Sequence, residues 1–226
     1  MASAKPNPGR RMRVSDRYRL VAPIYAAASL EHPFYQRGRR HAVDLLFLMS
    51  GQVVVDLGCG TGLSFPLLQA SIGPSGTIVG IDNSEEMLAQ ARRRAQRAGW
   101  DNVRLVKAPA HRLDSALVDA GIAPNRVNAL LAVYALSVVD HYPETWDQIR
   151  QSLTPGTRVA IADLSLGHQP VLRPLWRLLC ALGGSNPNRR PWKPLDDHTH
   201  DLRCEEHLAG HIVVSAATLD PLATRP

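Results

Sequence analysis

Three glycines and two carboxylates are spaced so that together they could hold a nucleoside. In "VVVDLGCGTG", Asp56 precedes Gly58, Gly60 and Gly62, and Asp82 ends the next apolar segment, "TIVGID". A glycine turn after a buried strand lets the backbone approach a ligand closely. The alternate spacing differs from the GxGxxG fingerprint of dinucleotide sites. A carboxylate beside the turn would repel a pyrophosphate but could accept hydrogen bonds from an ammonium group. The pattern therefore predicts a cationic ligand.

Asp82 extends this prediction to a ribose. It lies in "VGIDNSEEML", and an acid at the end of the second strand of such a fold can accept hydrogen bonds from both ribose hydroxyls. A ribose here and a cation at the glycine turn together describe S-adenosylmethionine, which carries an adenosine, a sulfonium and a zwitterionic amino acid but no phosphate. S-adenosylmethionine is therefore the predicted cofactor.

The elements that must position these residues alternate along the chain. Short apolar segments are separated by single segments of helical periodicity, which implies right-handed crossovers and a parallel sheet covered on both faces. The predicted class is α/β, doubly wound, over about residues 52–166. Five strands are predicted, in "QVVVDLG", "TIVGID", "NVRLVKA", "RVNALLAVYAL" and "GTRVAIADLSL".

The rest of the chain is predicted to flank this core. Residues 1–13 are expected to form a flexible basic arm, 14–49 an N-terminal helical lid, 50–166 the cofactor-binding core, and 167–226 an acceptor-side helix and loop plus a final strand pair that completes the same domain. Those last strands, "LRCEEHL" and "GHIVVSAATL", have only a two- or three-residue connection and are therefore expected to pair antiparallel.

These residues resemble the motifs of class I S-adenosylmethionine-dependent methyltransferases. "VVVDLGCGTG" is similar to that family's first motif and "IVGIDNSEEMLAQAR" to its second, and the likeness covers roughly half the chain. The resemblance implies a Rossmann-like fold with a mostly parallel seven-stranded sheet, and transfer of a methyl group from S-adenosylmethionine.

The resemblance also assigns individual residues. Asp56 matches the acid that anchors the methionine amino group, and Asp82 matches the ribose ligand. Met87 also belongs to the buried stripe of the following helix, so core packing is the alternative role for it. Cys59 is interpreted as a small residue that fills a tight turn, and this is favoured over a role as a reactive nucleophile. The expected cofactor-binding residues are Tyr25, Asp56, Gly58, Cys59, Gly60, Thr61, Gly62, Asp82, Asn83, Met87, Ala110 and Val133.

One segment departs from the family pattern. After the third strand the family usually has an acidic residue followed by a small one, and these hold the adenine amino group. Here the chain has Ala108-Pro109-Ala110, and Asp114 is a poorly placed substitute. Adenine recognition is therefore expected to be looser, and a non-catalytic S-adenosylmethionine-binding protein stays open as an alternative. Transfer of a different group from the same cofactor also stays open.

The N-terminal segment suggests a kind of acceptor. "RYRLVAPIYAAASLE" resembles the corresponding part of quinone-biosynthesis and lipid-headgroup methyltransferases, although Tyr25-Ala26 stands where those proteins often have Tyr-Asp. The expected acceptor is a small, rather apolar molecule or a lipid, methylated at N, O or C. Orientation and exclusion of water supply much of the acceleration of such a transfer, so a general base is needed only if the acceptor arrives protonated.

Acceptor-facing groups are expected where the fourth strand ends, in "AVYALSVVDHYPETW". The candidate catalytic residues are Tyr134, Asp140 and His141, and His141 could act as a base near neutral pH. The alternative for Asp140 and His141 is that they cap the next helix, beside Pro143.

Composition argues against several other functions. The net charge is +6, but the basic runs at residues 37–40 and 92–94 lack interleaved aromatic residues, so they are interpreted as solvated faces and nucleic-acid binding is disfavoured. The three cysteines are far apart, which is typical of free thiols in a reducing compartment. "DDHTHD" lacks a defined third and fourth ligand, so no metal site is predicted.

No long apolar stretch or signal-peptide h-region is evident, which predicts a cytoplasmic protein.

The segment "PVLRPLWRLLCAL", residues 170–182, has the periodicity of an amphipathic helix. It is expected to pack on the sheet. Alternatively it could roof an apolar acceptor or rest on an anionic membrane surface, which would make the protein peripheral to a membrane. The oligomeric state is left open.

Overall fold

A computed structural model describes residues 35–221. The predicted basic arm, Tyr25 and most of the predicted lid lie outside this range. The α-helices of the described part are α1 Gln36–Asp44, α2 Phe65–Ile72, α3 Glu85–Arg97, α4 Leu113–Asp119, α5 Tyr142–Ser152, α6 Arg173–Gly183 and α7 Leu195–His198. The strands are β1 Val53–Leu57, β2 Thr77–Asp82, β3 Val103–Lys107, β4 Ala129–Val133, β5 Arg158–Leu164, β6 Thr199–His207 and β7 Ile212–Leu219. Short 3₁₀ turns occur at Ala110–Arg112, Pro124–Arg126 and Pro170–Leu172.

The seven strands form one sheet in the order β3-β2-β1-β4-β5-β7-β6. β1 to β5 are parallel, and β7 pairs antiparallel with both β5 and β6. The order reverses at β1, which pairs β2 on one side and β4 on the other. A ligand site is expected beyond the carboxyl ends of strands at such a reversal, and the glycine turn follows β1 there.

Apolar side chains cover both faces of the sheet. One core includes Leu57, Leu117 and Ile161, and the other includes Phe65, Leu131 and Ala160. All five residues of β1 and all five of β4 are buried, as the central strands of a two-faced parallel sheet require. The glycine turn therefore follows directly after a fully buried central strand.

The C-terminal strand pair differs slightly from its prediction. β6 begins at Thr199, earlier than "LRCEEHL" suggests, and residues 208–211 connect it to β7. β7 is buried between β5 and β6, whereas β6 is mostly exposed at the edge. Arg158 on β5 secures this edge: its guanidinium donates to the Leu45 carbonyl at 2.6 Å and to the Asp201 carboxylate at 2.7 Å.

The predicted amphipathic helix is present as α6 after the 3₁₀ turn. It is less buried than expected, because Leu175 is 47% exposed and Leu178 is 56% exposed. Cys180 is fully buried, and the Trp176 ring stacks on the His211 ring with centroids 4.1 Å apart. The helix thus contacts the end of the sheet through residues that include Trp176, and it leaves part of its apolar side exposed. Across residues 35–221, none of the helices combines the length and the apolar character needed to cross a bilayer.

Candidate functional site

The glycine turn lies directly beyond β1 and leaves its backbone open on one side. Gly58 has a φ of 73°, and a Cβ there would lie 2.5 Å from the Ala135 Cβ, so the loop after β4 packs against bare backbone. Gly60 has a φ of 54°, and a Cβ there would meet no atom of the described residues within 4 Å. Both positions need the left-handed conformation that glycine adopts without strain. The open side at Gly60 is where a ligand could contact the backbone.

Asp56 is a buried carboxylate beneath this turn. It is 1% exposed, and its Oδ2 has no hydrogen-bond partner among the described residues. Burial raises its pKa to about 7, although the Arg39 charge and the Ser64 hydroxyl act in the opposite direction. The Arg39 guanidinium donates to Ser64 Oγ at 2.9 Å. An unpartnered buried carboxylate oxygen fits a cationic group, directly or through an ordered water.

Asp82 connects the end of β2 to the glycine turn. Its Oδ2 accepts a hydrogen bond from the Gly60 N–H and its Oδ1 accepts one from the Ser84 N–H, both at 2.9 Å. Burial raises the pKa of Asp82, and these two N–H groups partly offset that effect. Each carboxylate oxygen keeps a further lone pair for a ligand hydroxyl. Ser84 Oγ in turn accepts from the Met87 N–H at 3.2 Å and caps α3.

Cys59 and Thr61 occupy the interior of the turn. Burial raises the pKa of the Cys59 thiol, and the carboxylates of Asp56 and Asp82 raise it further. The thiol is therefore protonated at neutral pH, which favours the packing role over a nucleophile. Thr61 is 4% exposed and its Oγ1 has no partner among the described residues, so it offers a second polar atom to a ligand.

The other expected cofactor residues surround the same sheet edge, with one outside the described range. Asn83 is exposed, Met87 is 4% exposed, Ala110 is half-buried in the 3₁₀ turn after β3, and Val133 is 7% exposed at the end of β4. Tyr25 lies before Tyr35, where the description begins. The Ala108 N–H donates to the Asp82 carbonyl at 3.1 Å, which closes the gap between β2 and β3 beside the adenine position that the resemblance implies.

The candidate catalytic residues make different contacts. Tyr134 has a φ of 54°, and its hydroxyl donates to the Tyr35 carbonyl at 2.8 Å. Asp140 and His141 are exposed; His141 lies 3.6 Å from Glu144 and packs edge-on against His111 with ring centroids 4.7 Å apart. His141 is the N-cap residue of α5, but its side chain makes no capping hydrogen bond within the described part of the chain. Its side chain contacts Glu144 on α5 and His111 in the 3₁₀ turn after β3.

An aromatic cluster lies near Tyr134, formed by Tyr35, Trp176 and His211. The Tyr35 and Tyr134 rings pack edge-on with centroids 5.3 Å apart. His211 is fully buried; its Nδ1 is 2.6 Å from the Ser165 carbonyl and its Nε2 is 3.4 Å from the Tyr35 hydroxyl. Because a carbonyl only accepts, Nδ1 carries the proton and Nε2 keeps a lone pair in the neutral ring. Burial lowers the pKa of His211.

Comparisons with known proteins identify the family of this chain. A family model described as a methyltransferase domain matches residues 48–195. The chain belongs to this family. It is 30% identical over 158 residues to the 2-phytyl-1,4-naphtoquinone methyltransferase of Synechococcus elongatus, across 68% of this chain and 64% of that protein. It is 25% identical over 152 residues to the demethylmenaquinone methyltransferase of Listeria welshimeri, across 66% of this chain and 61% of that protein.

The chain thus spans less than two thirds of the length of these curated relatives. A solved structure of a SAM-dependent methyltransferase from Aquifex aeolicus superposes with a TM-score of 0.62 at 17% identity, across 92% of this chain and all of that one. This likeness confirms the predicted fold class, and the family match confirms the class I methyltransferase resemblance with S-adenosylmethionine as cofactor. The site fits that cofactor because, within residues 35–221, the buried Asp56 Oδ2 has no hydrogen-bond partner and the Gly60 backbone is open.

Two arginines from the runs that are predicted to be mostly solvated contact residues in or next to the glycine turn. Arg39 is 8% exposed and contacts Ser64, and the Arg94 Nε donates to the Thr61 carbonyl at 3.0 Å. The sequence contains a signal for the burial of Arg39, because Arg39 lies on the same helical stripe as the apolar residues Ala42 and Val43. His211 was also missed as a site residue, since a histidine before an apolar strand carries no local signal for its contacts with Tyr35 and Trp176.

Proposed function

We propose that this protein transfers the methyl group of S-adenosylmethionine to a small, rather apolar acceptor of the quinol kind. The observation that carries the proposal is the position of the aromatic cluster beside the glycine turn: Ala135 packs on Gly58, and its neighbour Tyr134 contacts Tyr35. Two curated relatives are a naphtoquinone methyltransferase and a demethylmenaquinone methyltransferase. The half-exposed Leu175 and Leu178 on α6 add apolar surface close to the cluster.

In this proposal S-adenosylmethionine supplies an electrophilic methyl carbon on a sulfonium. Asp56 compensates the charge of the methionine ammonium, Asp82 accepts hydrogen bonds from the ribose hydroxyls, and the backbone at Gly60 lies against the ligand. Buried carboxylates are suited to binding such a ligand, because their attraction to an opposite charge is weakly screened by solvent. A bond forms between the acceptor atom and the methyl carbon as the carbon–sulfur bond breaks, and any acceptor proton must leave to a base.

Cofactor affinity is expected to increase with pH near neutrality. The pKa of Asp56 is about 7 without ligand, and an ammonium beside it would lower that pKa, so binding releases a proton. Affinity is therefore highest at pH values above the ligand-free pKa of Asp56. It decreases as pH falls below that pKa, and the decrease approaches about tenfold per pH unit. Isothermal titration with S-adenosylhomocysteine from about pH 6 to 7.5 measures this slope, below the range of about 7.7–8.0 where an α-amino group itself titrates.

Two controls isolate the Asp56 contribution. Adenosine lacks the ammonium group, so its affinity should not change over the same pH range, and Asp56→Asn should remove the slope for S-adenosylhomocysteine. A slope that persists in Asp56→Asn would assign the proton to another group. A flat profile for the unmodified protein would show that Asp56 does not face the ammonium.

His211 and Tyr35 offer a path for the acceptor proton. The half-buried Tyr35 hydroxyl would contact the acceptor, and the His211 Nε2, 3.4 Å behind it, would accept a proton through that hydroxyl. The Ser165 carbonyl and the Trp176 ring hold the imidazole in this orientation. His211 is thus a positioning residue and proton acceptor, not a group that touches the acceptor.

His211→Gln is expected to lower kcat by about 10²-fold with little change in cofactor affinity, because general base catalysis contributes about 10²–10⁴-fold. The unmodified enzyme should lose activity as pH falls through the lowered pKa of His211, and His211→Gln should lose that acid limb. His168→Gln is the matched control, since His168 is exposed and contacts Glu206. A variant with reduced kcat and an unchanged pH profile would assign His211 a purely structural role.

Labelled-methyl transfer tests the function itself. The protein is incubated with methyl-labelled S-adenosylmethionine and either a reduced naphthoquinol with an apolar tail or phosphoethanolamine as a polar control, and the product is identified by mass spectrometry. Label in the quinol alone is the expected result. Label only in the polar acceptor would overturn the apolar-acceptor assignment. Cofactor binding without transfer to any acceptor would favour the non-catalytic alternative.

A further inference from the structure

We propose that His41, Glu205 and His207 form a binding site for a zinc ion that links helix α1 to the edge strand β6. The three side chains each offer one ligand atom, and these atoms all lie within 4.8 Å of one another. Imidazole and carboxylate groups are ligands that Zn²⁺ binds readily, and a water would complete a four-coordinate site. This inference goes beyond methyl transfer and does not depend on it.

The backbone explains why the three groups converge. Glu205 and His207 are two residues apart on β6, so their side chains point to the same face of the strand. Glu206, between them, points to the opposite face and contacts His168. His41 projects from α1 toward the first face, and its ring packs edge-on against the His207 ring with centroids 5.3 Å apart.

The nitrogen atoms involved lack hydrogen bonds. Both His41 Nε2 and His207 Nε2 are buried and have no hydrogen-bond partner among the described residues. The Glu205 Oε2 lies 2.9 Å from His41 Nε2, but the two are not aligned as a hydrogen bond. Buried imidazole nitrogens are normally satisfied. Two unsatisfied nitrogens beside one carboxylate oxygen are what a cation site requires.

The dimensions and charges also suit zinc. Ligands at about 2.0–2.2 Å from a tetrahedral ion lie about 3.3 Å from each other, so only small side-chain rotations are needed. Two imidazole nitrogens and one carboxylate oxygen form a ligand set that zinc takes in proteins. Glu205 is half-exposed, so the site is open to an ion from solution.

Metal titration tests the site directly. Tag-free protein is treated with a chelator, dialysed and titrated with zinc chloride alone by isothermal titration calorimetry, with stoichiometry checked by native mass spectrometry. One equivalent per chain is expected, together with a higher Tm, because a ligand that binds only the folded state stabilises it. His207→Gln and His41→Gln should each weaken binding by at least about tenfold.

The control is His200→Ala on the same strand. His200 contacts Asp220 at 2.6 Å, away from the cluster, so its removal should leave the affinity and stoichiometry unchanged. Far-ultraviolet circular dichroism establishes that each variant is folded, and Glu205→Gln gives a third, more conservative test. Absence of saturable binding to the unmodified protein, or binding that is unchanged in His207→Gln and His41→Gln, would overturn the proposal.

Discussion

Replacing Asp82 by alanine is expected to weaken S-adenosylmethionine binding by about 10²-fold, or about 3 kcal/mol. The change removes the proposed ribose contacts and also leaves the Gly60 and Ser84 N–H groups without their acceptor at 2.9 Å. The turn that lies against the ligand then loses its connection to β2. Both losses reduce affinity, so the effect exceeds that of a single ligand hydrogen bond.

Isothermal titration with S-adenosylhomocysteine measures the Asp82→Ala effect. Asp119→Ala is the matched control, because Asp119 is exposed at the end of α4, far along the chain from the turn. Asp82→Asn should show an intermediate loss, since one amide oxygen can serve only one of the two N–H groups. An affinity within about threefold of the unmodified protein would show that the ribose lies elsewhere.

Asp163→Ala is expected to destabilise the fold by about 3 kcal/mol. Asp163 is fully buried at the end of β5; its Oδ2 accepts from the Ser137 N–H at 2.9 Å, and its Oδ1 accepts from Ser137 Oγ at 2.6 Å and from the Leu164 N–H at 2.8 Å. Alanine would leave the Ser137 and Leu164 N–H groups without this acceptor, and the Ser137 hydroxyl would keep only Ser185 Oγ, at 3.1 Å. Denaturant unfolding followed by circular dichroism gives the free energy, and Asp147→Ala on the exposed side of α5 should change it little.

The pH dependence of unfolding provides a second signature of Asp163. Burial raises its pKa to about 6, from an ordinary value of 3.8. The folded state therefore binds the proton of Asp163 more tightly than the unfolded chain does, and protonation stabilises the fold. This stabilisation is complete below pH 3.8 and is lost as pH rises through 6. Asp163→Ala should lack that component of the slope. An unchanged slope together with an unchanged free energy would show that the carboxyl is not held as described.

The parts of the site that could be predicted from sequence are those fixed by neighbours along the chain. A buried strand, a glycine turn and an acid at the next strand end are positioned by the parallel pairing of β1 with β2 alone. The presence of the five parallel strands follows from the local alternation of strand and helix patterns, whereas their order in the sheet is given by the structure. Asp56, the glycines and Asp82 therefore lie at one sheet edge as expected, although their contacts with cofactor stay predictions.

The residues that could not be predicted are positioned by contacts distant in sequence. Arg39 reaches Ser64, 25 residues later, and His211 donates to Ser165, 46 residues earlier. Tyr134 adopts a left-handed backbone conformation that its residue type does not favour, and its hydroxyl contacts Tyr35, 99 residues earlier. Side-chain direction after a strand is thus decided by tertiary packing, which periodicity does not encode.

The position of β7 has a consequence for how the protein is made. Among the described residues, β7 follows β6 in the chain but lies between β5 and β6 in the sheet, so β6 has no neighbouring strand until β7 has been synthesised. Until then β5 is also an open edge, able to pair with another chain. Completion of the sheet therefore depends on the synthesis of β7.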